Sequence, residues 1–164
     1  MAILAQGTEI FFIDPNSSNK LVKITCPTNI DAGTPSVDEH DVTTLCSNSK
    51  EKFLGLTDWG SLTLTLRYDE ADDSHWELEL LAQELPKKNI KFVIGQPQPN
   101  KALDNQDQPT VSVGEFSLPN ARGWREFTGQ VMSFSVPYNA GEVLVADVQV
   151  TVVSREKPLR AGRT

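Results

Sequence analysis

The side chains with chemistry to offer are two histidines, two cysteines and 22 carboxylates. His40 sits inside Asp38-Glu39-His40-Asp41, a composition that would suit a divalent cation. The four residues are consecutive, however, so on a strand they alternate faces and cannot converge on one ion. A solvated, acidic strand entrance is the expectation there. His75 stands beside acids in the first turn of a predicted helix, where a surface position is expected. Nucleophilic catalysis needs a serine or cysteine with a base placed to activate it. The chain has no Gly-x-Ser-x-Gly turn and no histidine set beside a nucleophile. Carboxylates are numerous enough for a glycosidase-like pair, yet no spacing singles out any two. Gly-rich phosphate loops and the basic-aromatic patterns of nucleic-acid platforms are absent as well. Cys26 and Cys46 are too few for a disulfide framework and lack metal-site spacing. They would pair if their strands were neighbours; free buried thiols are the expectation. The inventory indicates no enzyme, no cofactor and no metal.

The elements that would position any site are mostly strands. Residues 61–68 alternate, with Leu62, Leu64, Leu66 and Tyr68 on one face and Ser61, Thr63, Thr65 and Arg67 on the other. Residues 147–152 repeat the pattern, with Val148, Val150 and Val152 inward and Asp147, Gln149 and Thr151 outward. In residues 130–136, Met132, Phe134 and Val136 oppose Val131, Ser133 and Ser135. Apolar runs at 9–13, 21–25 and 90–94 predict further strands, the first two joined by the turn Asp14-Pro-Asn-Ser-Ser-Asn19. One segment changes period. Residues 74–85 predict a helix, with Ser74 and Glu77 as a capping box and Asp72 and Asp73 complementing its dipole. Its apolar stripe is Trp76, Leu80 and Leu81, flanked by Leu78, Ala82 and Leu85, and Pro86 stops it.

At 164 residues, with 38% hydrophobic and 23% charged, the chain suits a single domain, residues 1–164. No internal repeat or interdomain linker stands out. The net charge is -7; residues 155–164 carry four basic residues and one acid, which leaves -10 on the rest. So acidic a body disfavours binding of phosphate backbones. The basic tail, residues 154–164, is expected to be a solvated terminus. The apolar opening Met1–Gly7 is too short for a signal peptide, and no run approaches a membrane span, so synthesis in the cytoplasm is expected. Residues 46–60 and 95–109 read as long loops, the second as a flexible insertion with little to bury. The first carries Phe53, Leu54, Leu56 and Trp59, an odd set to leave in water. Either they cover their own core or they dock on another chain.

The segment from Asp41-Val-Thr-Thr44, through Leu56-Thr-Asp58-Trp-Gly60 and the strand Leu62–Leu66 ending in Tyr68-Asp69, to the helix around Leu78–Leu81 resembles the tail tube (major tail) proteins of long-tailed, non-contractile phages. Phe127-Thr-Gly-Gln-Val-Met, the alternating run 143–153 and the opening Gly7-Thr8-Glu9 agree with it. The resemblance covers most of residues 7–153. Trp59 departs from it at a variable position, and the chain is too short for the extra immunoglobulin-like domain of some relatives.

The resemblance implies a mainly β fold, a sandwich or barrel with one flanking α-helix. Six copies would form a ring whose sheets join into a continuous inner β-barrel, and rings would stack head to tail. It implies a structural subunit of the virion tail, a hollow conduit through which double-stranded DNA passes without tight binding. The implied partners are further copies of the chain, tail tip (initiator) and terminator proteins, and a tape measure protein in the lumen during assembly; no membrane is involved. The expected stacking loop comprises Lys50, Lys52, Phe53, Leu54, Leu56, Asp58 and Trp59. Lumen candidates, from alternation alone, are Ser133, Ser135, Asp147, Gln149 and Thr151, although the same polar face would equally suit the outside. Two alternatives remain: a tube protein of a contractile-tail or secretion system, and a ligand- or carbohydrate-binding β-sandwich. The latter needs aromatics on one concave face, whereas the tryptophans are Trp59 on a loop, Trp76 on the helix and Trp124 near a strand start.

Overall fold

The computed structural model describes residues 4–162; Met1–Ile3 of the apolar opening, and Arg163 and Thr164 of the basic tail, lie outside the described residues. Seven strands form one antiparallel sheet in the order β2-β1-β7-β10-β11-β6-β3. They are β1 (Glu9–Asp14), β2 (Lys20–Lys23), β3 (Pro27–Asp31), β6 (Ser61–Arg67), β7 (Ile90–Gly95), β10 (Trp124–Ser135) and β11 (Val145–Arg155). Two hairpins stand apart from it, β4 (Ser36–Asp41) with β5 (Lys52–Asp58), and β8 (Thr110–Ser112) with β9 (Glu115–Ser117). One helix, α1 (Asp73–Gln83), completes the described elements. The strands at 9–13, 21–25, 61–68, 90–94 and 147–152 are thus present, and the 14–19 turn does join β1 to β2.

The sheet folds over on itself. β10 pairs with β7 only over residues 124–129 and with β11 over residues 127–135, and the β10–β11 register is interrupted at Thr128/Gly129 and Val131/Ser133. Such bulges bend a strand, and strands that bend this way pass from one layer to another. The first layer is β2, β1, β7 and the start of β10; the second is the rest of β10 with β11, β6 and β3. Ile10, Phe12, Phe92 and Phe127 of the first share one core with Leu62, Leu64, Leu66, Val148 and Val150 of the second. Residues 24–26 tie the layers at the other side, leading directly from one sheet edge, β2, to the other, β3. The Ile24 N–H donates to Ile10 O at 3.0 Å and the Arg67 N–H to Cys26 O at 3.2 Å, so the corner bonds to both layers. The result is the barrel-like sandwich expected.

Three expectations are corrected. Val131 is buried and Met132 half-exposed, the reverse of the strict alternation, because Met132 occupies the bulge between the Val131–Val150 and Ser133–Gln149 pairs. The bulge resets parity, so Phe134 and Val136 still reach the core. The helix cap is Asp72, whose carboxylate accepts from the Ser74 N–H at 2.9 Å, and the buried face is Ser74, His75, Leu78 and Leu81. Trp76, 46% exposed, and Leu80 and Leu85 face solvent. His75 wins the inner face because both ring nitrogens are paired: Nδ1 accepts the Asp69 N–H at 3.0 Å, and Nε2 donates to Thr25 O at 2.9 Å. Finally, Cys26 and Cys46 are free but exposed, one at the corner with φ 54° and the other in the β4–β5 connection.

The outer face of the first layer is roofed by the chain itself. Phe11, Val93 and Trp124 pack under Leu21, Phe116, Leu118 and Leu159. Trp124 and Leu159 exchange two backbone hydrogen bonds of 2.9 Å, and the Gly162 N–H donates to Asn120 O at 2.7 Å, so the tail docks as far as residue 162. The 95–109 segment, read as having little to bury, buries Gln106 and Pro109. Gln98 and Asp107 also bond side chain to side chain at 2.9 Å.

One carboxyl pair makes stability depend on pH. Asp14 is fully buried at the end of β1, and its Oδ2 finds no donor among the described residues unless Glu77 carries a proton. The hydrogen bond with Asp14, then burial, then the charges of Asp14 and Asp73, opposed by Lys20, push Glu77 up to about 7. The folded chain therefore holds this proton more tightly than the unfolded chain. The stabilisation is full below pH about 4.5 and is lost as pH rises through about 7. Glu77→Gln should flatten the fall in thermal midpoint across that window; an unchanged slope would show that Glu77 is not its source.

Candidate assembly surfaces

Residues 46–60 do not form a loop throughout. Lys52–Asp58 is a strand, pairing His40 with Phe53 and Asp41 with Lys52, and the connection is residues 42–51. Val42, Thr43 and Thr44 of the Asp41–Thr44 segment therefore lie in that connection. The strand escapes a period-two search because neither face is buried: Phe53 is 68% exposed, Leu54 64% and Leu56 87%. These residues do not cover their own core, so the docking alternative remains. A two-stranded hairpin is at best marginal alone, and apolar side chains gathered on it mark a contact surface.

Six of the seven expected stacking residues lie on or beside this hairpin: Lys50, Lys52, Phe53, Leu54, Leu56 and Asp58. Lys52 pairs with Glu39 at 2.7 Å across the strands. Asp58 caps the exit, accepting the Gly60 N–H at 2.9 Å. Trp59 is different; it is half-buried against the subunit's own core. His40 packs over Gly55, where a Cβ would lie 3.0 Å from its Nε2 and displace the exposed ring by a few tenths of an ångström. Asp38, Glu39, His40 and Asp41 are all exposed, as a solvated acidic strand would be.

The second surface is the outer face of the second layer. Ser133, Ser135, Asp147, Gln149 and Thr151 are all exposed, and the register makes them neighbours: Ser133 opposite Gln149, and Ser135 opposite Asp147. β6 widens the patch with Ser61, Thr63 and Thr65 opposite Thr151, Gln149 and Asp147, and β3 adds Asn29 and Asp31. The Thr65 hydroxyl donates to Asp147 Oδ1 at 3.0 Å. The patch carries Asp31, Asp147 and, at one end, Arg67, but no lysine. Unlike the first layer, this face is bare.

Among the described residues neither margin of this layer has a partner strand, although Ala5 and Thr8 line a pocket with Pro27–Ile30 of β3 and α1 packs against β10. β3 pairs only with β6, and residues 130–135 of β10 extend beyond the last β7 pair, Gly129–Ile90. Sequence patterning missed β3, because Pro-Thr-Asn-Ile-Asp offers only Ile30 to the core. A strand with half its hydrogen bonds unmade invites a partner strand.

Comparison with known proteins gives a consistent result. The profile of a family described as "Phage tail tube, TTP, lambda-like" matches residues 1–160. "Structural protein 3" of Pseudomonas phage PAJU2 is 26% identical over 155 residues, covering 92% of this chain and 89% of that protein. Similar in fold are a chain of the anti-feeding prophage (AFP) baseplate, at TM-score 0.70, 11% identity and 99% of both chains, and the SPP1 tail tube, at 0.65, 12% identity, 98% of this chain and 81% of that one. The tail of an empty GTA particle, refined helically with C6 symmetry, follows at TM-score 0.55 and 14% identity, covering 96% of this chain and 97% of that one.

Proposed function

This chain belongs to the lambda-like phage tail tube family, and from that premise we propose that six copies close into a ring through the open margins of the second layer. The carrying observation is that one layer has a bare polar outer face and, among the described residues, two edges without a partner strand, while the other is roofed by its own chain. Residues 130–135 of β10 run opposite to β3, since each antiparallel step from β10 through β11 and β6 reverses direction. A rotation axis along the tube preserves strand direction. β3 of one copy therefore meets β10 of the next antiparallel, and the sheet alternation continues around the ring. The GTA tail, similar in fold and refined with C6 symmetry, supports a copy number of six.

The polar patch then lines the lumen, with Ser133, Ser135, Asp147, Gln149 and Thr151 inward. A wall with acids and few cations forms few phosphate contacts, so duplex DNA passes without being held. The β4–β5 hairpin stacks one ring on the next. A tape measure protein fills the lumen during assembly, and tip and terminator proteins bound the stack. The subunit is made in the host cytoplasm and serves in the virion tail as a structural part, without catalysis or cofactor.

Paired cysteines test the ring. On a Cys26→Ser, Cys46→Ser background, Ser133→Cys or Ser135→Cys combined with Thr28→Cys or Asn29→Cys should give, after oxidation of the assembled protein, a non-reducing ladder that ends at six chains. Assembled protein in which no pair goes beyond a dimer would overturn the edge-to-edge ring.

A further inference from the structure

We propose that the cleft between the β1–β2 hairpin and the start of α1 binds a hard divalent cation, calcium or magnesium, held by Asp14 from one wall and Glu77 from the other. The hairpin lines this cleft with Asp14, Ser17 and Lys20, and the helix with its cap Asp72, Asp73 and Glu77. Asp14 is fully buried where β1 ends. Its Oδ1 accepts the Asn16 N–H at 2.9 Å, but its Oδ2 has no hydrogen-bond partner among the described residues. A carboxylate oxygen buried in this way is costly unless positive charge meets it. In acid a proton shared with Glu77 does so. That proton leaves as pH rises through about 7, and two carboxylates then face each other.

The other charges around the cleft leave that need unmet. Asp72 is engaged by the Ser74 N–H and hydroxyl and by the Thr25 hydroxyl. Asp73 adds negative charge beside Glu77, and exposed Lys20 opposes it least of the groups acting there. Lys23 is paired with Glu9. Hard cations prefer carboxylate oxygens, and an ion held by one or two carboxylates completes its shell with water. Two is the protein's share, since no three His, Cys, Asp or Glu side chains converge among the described residues. The ion therefore takes the place of the shared proton. It staples the β1–β2 turn to α1, which the Asn16–Glu84 hydrogen bond of 3.0 Å also joins.

Thermal unfolding of the full chain tests the site, with calcium chloride, magnesium chloride, or sodium chloride as the control for ionic strength. At about pH 8 one of the divalent salts should raise the midpoint by about 5–10 °C at hundredfold excess over its Kd, and sodium should not. At about pH 5.5 the rise should vanish, because the proton then holds the position. Ordinary surface carboxylates, with pKa values of about 4, stay ionised there and would go on binding. Glu77→Gln should lose the response at pH 8, since its amide donates to Asp14 Oδ2 in place of proton or ion. A midpoint indifferent to both divalent salts at pH 8 would overturn the site. So would a response that persists at pH 5.5 or survives in Glu77→Gln.

Discussion

Replacing Arg122 with methionine should cost the subunit several kcal/mol, although the residue belongs to neither assembly surface. Its side chain is fully buried and all five N–H donors are engaged. Nε donates to Gln96 O at 2.6 Å; Nη1 to Glu9 Oε1 at 2.8 Å and Asp107 O at 2.7 Å; Nη2 to Gly7 O at 2.8 Å and Gly95 O at 3.1 Å. The guanidinium also stacks over Trp124, 5.1 Å from the ring centre. It thus pins the start of β1, the end of β7 and the 97–122 segment to one point. Burial pushes the Glu9 carboxyl up, but hydrogen bonds from Lys23 and Arg122 and their charges overcome this and hold it below the ordinary range. Removing one partner of a buried ion pair costs about 3–5 kcal/mol, against a total stability of about 5–15 kcal/mol for a typical domain. Arg122→Lys should not rescue it, because an ammonium cannot span four carbonyls and a carboxylate. Urea unfolding measures the loss; a midpoint unchanged from the parent would show that the network contributes little.

The second large effect concerns assembly and spares the fold. Phe53→Asp with Leu54→Asp should leave a monomer of unchanged thermal midpoint that forms no tubes. Both side chains are mostly exposed, so the free subunit loses little by the change. Each contributes about 1.5–3 kcal/mol when fully buried on a neighbour, and repetition around the proposed ring multiplies the loss. Unfolding of the variant would return these residues to the subunit's own core. Tubes that persist would show that the hairpin is not the stacking contact.

How much of this was legible in the sequence depended on burial. Strands with one face in the core, such as Leu62-Thr-Leu-Thr-Leu66 and Val148-Gln-Val-Thr-Val152, declare themselves by alternation. Lys52–Asp58 and Pro27–Asp31 do not, since the first buries neither face and the second offers only Ile30. Alternation also mistook Met132 for core, because a bulge leaves no mark in apolar patterning. On the helix, Trp76 outweighed His75 by hydrophobicity, while two hydrogen bonds across the fold decided the orientation the other way. The polar lumen candidates did share a face, since period two holds along β11 as far as its one bulge, at Val153. Arg122 had no local signal, as its acceptors are backbone carbonyls distant in the chain.

The most direct test of the central claim is electron cryomicroscopy of the unmodified protein at high concentration. The expected result is hollow tubes of stacked rings, six copies to a ring, with β3 against β10 at each junction and Asp147 and Gln149 facing the channel. A sample that stays monomeric at every concentration, or a tube lined by the roofed first layer, would contradict it.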